Sequence, residues 1–137
     1  MGLKMFSYKI MNDNNVRKIA PSSRDFFEKG MLGHHAVEDI SFLGDDVYLI
    51  ERTGGRSNLR VLVADIYIAG EADIIEIAQN HGKIDCIVLV GFYNRYSSFA
   101  KSLAQTMGIA LFDKREFFGA LNFSGDKFMN YEKHDKD

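Results

Sequence analysis

LRVLVADIYIAGEADIIEIAQNHGKIDCIVLVGFY, residues 59–93, changes its apolar period twice, and those two changes decide the fold. Side chains alternate along a strand, so Val61, Val63, Asp65 and Tyr67 share one face while Leu62, Ala64, Ile66 and Ile68 share the other. Both faces are mostly apolar, which predicts a strand buried on both sides, in the middle of a sheet. After Gly70 the period lengthens. Glu71 and Asp73 suit the positive first turn of a helix, Ile74, Ile75, Ile77 and Ala78 form its apolar stripe, and Gly82 lies just past its end. DCIVLVGFY then runs apolar for the length of a strand. A strand, a helix and a strand in that order make a crossover, which requires parallel neighbours joined in the right-handed sense.

Downstream the unit repeats. Ser97 and Ser98 suit the cap of a helix whose Phe99, Ala100, Leu103, Ala104 and Met107 make a buried stripe, and Gly108 ends it. IALFD follows as a strand, and Lys114 to Leu121 as a last amphipathic helix. Upstream, AVEDISFLG, DVYLIERTG and LRVLVADIYI are β-rich runs separated by turns at Gly44-Asp45 and at Gly54 to Asn58, which predicts an antiparallel three-strand meander. Pro21, Ser22 and Ser23 open a short helix over Ser23 to Lys29 that Gly30 closes, and the polar residues 11–18 read as a loop. The expected object is an α/β domain with a mixed central sheet, an antiparallel three-strand meander followed by parallel βαβ units, flanked by helices. It divides into an N-terminal segment and loop over 1–20, one α/β domain over 21–122, and a polar, frayed tail over 123–137.

With 137 residues and 46% hydrophobic content the chain can bury one real core. A net charge of −2 gives no bulk field toward a polyanion, so any nucleic-acid contact must be a local patch. The lone Cys86 excludes an internal disulfide and a cysteine-cluster metal site, and its apolar surroundings suit a buried thiol. Met1 to Asn12 has no signal-type apolar core, and no stretch approaches membrane-spanning length, so a cytoplasmic protein without a membrane contact is expected.

Two constellations carry chemistry. Asp45 and Asp46 open the second strand of the meander, and Asp65 interrupts an apolar face of the third. A carboxylate among valines is costly unless paired or ligating, so acids from neighbouring strands suit Mg²⁺ or Mn²⁺ and phosphodiester hydrolysis. The plainer reading is that Asp65 meets water at the end of its strand and Asp45-Asp46 form a turn. The second constellation is GFYNRYSS, Gly91 to Ser98, where a helix start, Ser97, Ser98 and Arg95 meet beyond a parallel strand and could take an anion. Phe92, Tyr93 and Tyr96 offer faces for a base or for packing on a partner. Gly54-Gly55 has no Lys-Ser/Thr after it and reads as a turn; His34, His35 and His81 lack metal-ligand spacing; no GxSxG occurs.

The element order, with CIVLVGFYNRYSSFAKSLAQTMGIALFDKREFFGAL at its end, resembles the PD-(D/E)XK nuclease superfamily, the restriction-endonuclease-like fold, and most of all its Mrr-like branch. The likeness covers Ser23 to Leu121 at the level of pattern. It implies a metal-dependent DNA endonuclease, with the family's first aspartate on Asp46 and its paired acid and lysine on Asp65 and Tyr67. Those three are the candidate catalytic positions, and Glu28 matches an acid that some members add, giving Asp46, Asp65 and Glu28 as candidate metal ligands. Tyr67 is the departure, because a tyrosine cannot offset phosphate charge as a lysine does. Of the nearby arginines, Arg52, Arg56 and Arg60 could supply charge but not a general base. The resemblance therefore implies a degenerate domain, a non-catalytic or regulatory module associated with nucleic acid; the candidate anion or nucleic-acid contacts are Tyr93, Arg95, Ser97 and Ser98, read from the GFYNRYSS loop itself, and Arg56. The other readings are an active nuclease, a protein-interaction or inhibitor module that could form a homodimer, and a small nucleotide-binding domain.

Overall fold

The computed structural model describes residues 16–132. In chain order it contains β1 (Val16–Arg17), α1 (Pro21–Leu32), β2 (Val37–Gly44), β3 (Val47–Arg52), β4 (Leu59–Ile66) and β5 (Ile68–Ala69). There follow α2 (Glu71–Asn80), β6 (Cys86–Leu89), β7 (Arg95–Tyr96), α3 (Ser98–Thr106), β8 (Ala110–Asp113), α4 (Lys114–Ala120) and α5 (Asp126–Met129). The central sheet has the order β2-β3-β4-β6-β8, and β1 pairs with β4. β2, β3 and β4 pair antiparallel, whereas β4, β6 and β8 pair parallel, so the expected mixed α/β sheet is present.

The strand alternation read from β4 divides two cores. Val61 and Val63 join Cys86, Val88 and Phe112 on the face covered by Phe27 and Met31 of α1 and Phe117 of α4. Leu62, Ala64 and Ile66 join Ile87, Leu89 and Leu111 on the face covered by Ile74 of α2 and by Ala100 and Ala104 of α3. Helices thus flank both faces. Cys86 is fully buried, and burial pushes its thiol well above the ordinary range, as for an inert core group.

The β2–β3 connection is a tight hairpin whose two loop residues, Asp45 and Asp46, both adopt left-handed backbone at φ 50° and 62°. That is the geometry which matches strand twist, and aspartate tolerates it better than most residues. Asp46 accordingly lies in the turn, one residue before β3, rather than opening the strand.

Three departures from the sequence reading have physical causes. Within the stretch expected to be a loop, Val16 and Arg17 form a strand beside Ile66 and Asp65. β3 pairs with β4 only as far as Leu62, so the rest of that edge of β4 is open and β1 fills it. Residues 11–15 of that loop lie outside the described residues. α1 runs past Lys29 to Leu32, with Gly30 inside it: a Cβ on Gly30 would stand 2.6 Å from Cζ of Phe118, so the glycine admits close packing against α4 rather than ending the helix. The tail is not frayed over its described part. Phe128 of α5 is buried and meets Phe112 edge to face at 5.3 Å, and Tyr131 packs on the same core. The packed body therefore extends beyond 21–122 at both ends. Among the described residues no helix is long and apolar enough to cross a membrane.

Candidate functional site

β4, β6 and β8 run parallel, so their carboxyl ends lie on one edge of the sheet, where ligands of open α/β folds gather. Asn94 ties that edge together. Its Oδ1 accepts from the backbone amides of Ile66, at 3.1 Å, and Gly91, at 3.0 Å, while its Nδ2 donates to Asp65 at 3.0 Å. One side chain thus joins the end of β4 to the loop after β6. Gly91 is required there, because a Cβ would collide with the Asp65 carboxylate. The loop continues as β7, whose parallel pairing with β5 was not legible in a run of two residues.

Around this clamp, rings and cations face solvent. Tyr93 is 87% exposed and Phe92 74%, and Tyr93 adopts φ 61°, a left-handed backbone that costs a bulky L-residue energy. The guanidinium carbons of Arg95 and Arg17 lie 5.7 and 5.8 Å from the centre of the Tyr67 ring, which is itself exposed. The Lys114 ammonium lies 4.8 Å from the Phe92 ring and 5.1 Å from that of Phe26, also exposed. These are cation–π distances. Ser97 caps α3 by accepting from Ala100 N at 3.0 Å, and Ser98 begins the helix as an exposed residue.

The acids are placed differently. Asp46 and Asp65 do line one cleft, of about 290 Å³, together with Arg17 and with Asp73, Glu76 and His81. The Asp46 carboxylate, however, pairs with the Arg24 guanidinium of α1. Arg24 also donates to the Tyr48 hydroxyl at 3.1 Å, and that hydroxyl donates to Glu28 at 2.5 Å. Burial, and then the bond to Glu28, push the Tyr48 phenol up to about 12. Burial works against the charge of Arg24, but its bonds to Tyr48 and Asp46 outweigh that and hold it above its usual value. Arg24 and Glu28 are one turn apart on α1 and face the same strand, a spacing that is visible in the sequence and signals a shared polar partner.

Among the described residues no three His, Cys, Asp or Glu side chains gather so as to hold a metal ion. Glu28, Asp46 and Asp65 are therefore not brought together as a ligand set. The donor set implied by the resemblance does not fit Mg²⁺ or Mn²⁺ in this arrangement, since Asp46 serves a guanidinium and Glu28 a phenol. Tyr67 lies beyond the end of β4 rather than on it, so it no longer shares a strand face with Asp65.

Arg56 is far from this edge along β4. Its Nε donates to Asn122 O at 3.1 Å and its Nη1 to Thr53 O at 2.9 Å, at the β3–β4 hairpin, so it does not converge with Arg95 and Ser97. Arg52 beside it is buried and donates to Ser57 O, Leu121 O and Phe123 O at 2.7, 3.0 and 2.7 Å, with its charge weakened by burial and by Arg56. Both arginines tie the C-terminal segment to the sheet.

Sequence reasoning also passed over Lys101. This buried lysine donates to Leu111 O of β8 at 2.9 Å and to the Tyr96 hydroxyl at 3.3 Å, while Tyr96 donates to Glu116 at 2.7 Å. β8 is the last strand of the sheet, and Lys101 covers its outer edge. Burial lowers the lysine's affinity for its proton, offset by Glu116, while burial and Glu116 push the Tyr96 phenol up. Comparison of the chain with protein-family models, with curated proteins and with solved structures finds no match to any of them.

Proposed function

We propose that this chain is a nucleic-acid-associated module, built on a restriction-endonuclease-like scaffold, that binds without cutting. One observation carries the reading: at the carboxyl edge of the parallel strands the acids are engaged by protein partners while cations and aromatic rings face solvent. Arg24 neutralises Asp46, Asn94 holds Asp65, and Arg17, Arg95 and Lys114 stand beside Tyr67, Phe92 and Phe26. Guanidinium and ammonium groups attract phosphate, and exposed rings can stack on bases. The small net charge fits a local contact of this kind rather than a broad electropositive face.

A metal-dependent endonuclease is the second reading, favoured by the shared cleft of Asp46 and Asp65. Labelled oligonucleotides titrated at several salt concentrations, and plasmid incubated with Mg²⁺ or Mn²⁺ beside an Asp65→Ala control, separate the two. Salt-sensitive binding with intact plasmid is the expected result. Metal-dependent cleavage that the Asp65→Ala protein lacks would establish the nuclease, and absence of binding at the lowest salt would remove nucleic acid from the account.

A further inference from the structure

We infer that the loop after β6 is a stacking site for an unpaired nucleobase, with Tyr93 as its platform, so that the ligand is a single strand rather than a duplex. This rests on the nucleic-acid reading above and narrows it. Tyr93 is 87% exposed, with its backbone in the left-handed region at φ 61°. Glycine or asparagine would fit that backbone at lower cost, and the ring contact that Tyr93 makes is with Phe92, itself exposed, at 6.4 Å between centroids. The loop is also held rather than loose: Asn94 fixes Gly91 to the end of β4, and Arg95 N donates to Tyr67 O at 3.0 Å. A rigid backbone therefore projects an aromatic face into solvent, with Tyr67, Asn94 and Arg95 forming the hollow beside it.

The chemistry of the surface selects the strandedness. A duplex turns its base faces inward and offers phosphates and groove edges, which a projecting ring cannot stack upon. An unpaired base offers its whole face, whatever its identity. Among the described residues the cations beside these rings are Arg17, Arg95 and Lys114, a set suited to the phosphates flanking one or two unstacked bases.

The test measures fluorescence anisotropy of a short labelled DNA strand, the same sequence as RNA, and the same sequence as a duplex, against the full chain and its Tyr93→Ala, Tyr93→Phe and Tyr93→Gly variants. Single strands should bind more tightly than duplex. Loss of the ring in Tyr93→Ala and Tyr93→Gly should weaken single-strand binding by about 5- to 100-fold, the range expected for one stacked base, while Tyr93→Phe retains it. Neutralising three phosphates should give a log–log salt slope of about −2 for a single strand. The DNA and RNA arms identify which strand the site prefers. Duplex binding as tight as single-strand binding, or single-strand binding indifferent to Tyr93→Ala, overturns this inference and leaves the broader reading standing. No binding to any of the three overturns both.

Discussion

Tyr93 holds an aromatic side chain where the backbone favours none, and the cost is measurable apart from any ligand. Tyr93→Gly should raise the free energy of unfolding by about 1 kcal/mol, because a left-handed conformation costs an L-residue roughly that much. Thermal unfolding should then shift upward by about 3 °C for a domain of this size. A lowered midpoint would mean that the ring packs in the native state after all. At this scale the sequence told part of the story. Asp46 and Asp65 were legible as odd carboxylates on a β-rich background, and the two do share a cleft. Their partners were not legible: Arg24 lies 22 residues from Asp46, and Asn94 lies 29 from Asp65. Nothing in local spacing announces a bond across such distances, and it is those bonds that change what the carboxylates can do. Arg56, a candidate anion contact, has its Nη1 on the carbonyl of Thr53 and its Nε on that of Asn122, the second of these lying far off in the sequence.

The elements read most reliably were those with a strong period. β4, α2, β6, α3 and β8 follow from alternation, from a helical stripe and from glycines at the right ends, and the sheet order follows from crossover geometry. β1 was missed because two residues have no period and pair only where β3 leaves the edge of β4 open. The end of α1 was placed too early because Gly30 looks like a terminator; its role is set by Phe118, which only the folded chain brings near. α5 was missed because its surroundings are polar, although Phe128 alone buries a ring against Phe112 and under the Arg52 guanidinium at 5.4 Å. Phe128→Ala should therefore destabilise the domain by about 3 kcal/mol, within the usual range for deleting a buried ring. Urea unfolding followed by circular dichroism checks this, and a change below about 0.5 kcal/mol, typical of a surface site, would show that the segment does not belong to the cooperative unit.

The molecule, over its described residues, carries two apolar layers on its sheet, one on each face. Its stability at high pH depends on phenols that must stay protonated. The Tyr48 pKa is about 12 folded, against an ordinary 10.0, so its contribution is complete below about pH 10 and is lost as pH rises through about 12. The raised Tyr96 acts in the same direction, whereas the lowered Lys101 acts in the opposite one just below the ordinary lysine value. Unfolding midpoints measured from neutral to alkaline pH should fall above about pH 10, and less steeply in Tyr48→Phe; equal slopes would remove Tyr48 from the account. Asn94 is the side chain that closes the rim between β4 and the loop after β6. The amides of Ile66 and Gly91 are secured by a side chain rather than by a neighbouring strand, so one rotation of that side chain releases both together. In heavy water these two hydrogens should therefore exchange in step, and ahead of the ladder amides of β4, making the outer rim the first part of the sheet to breathe.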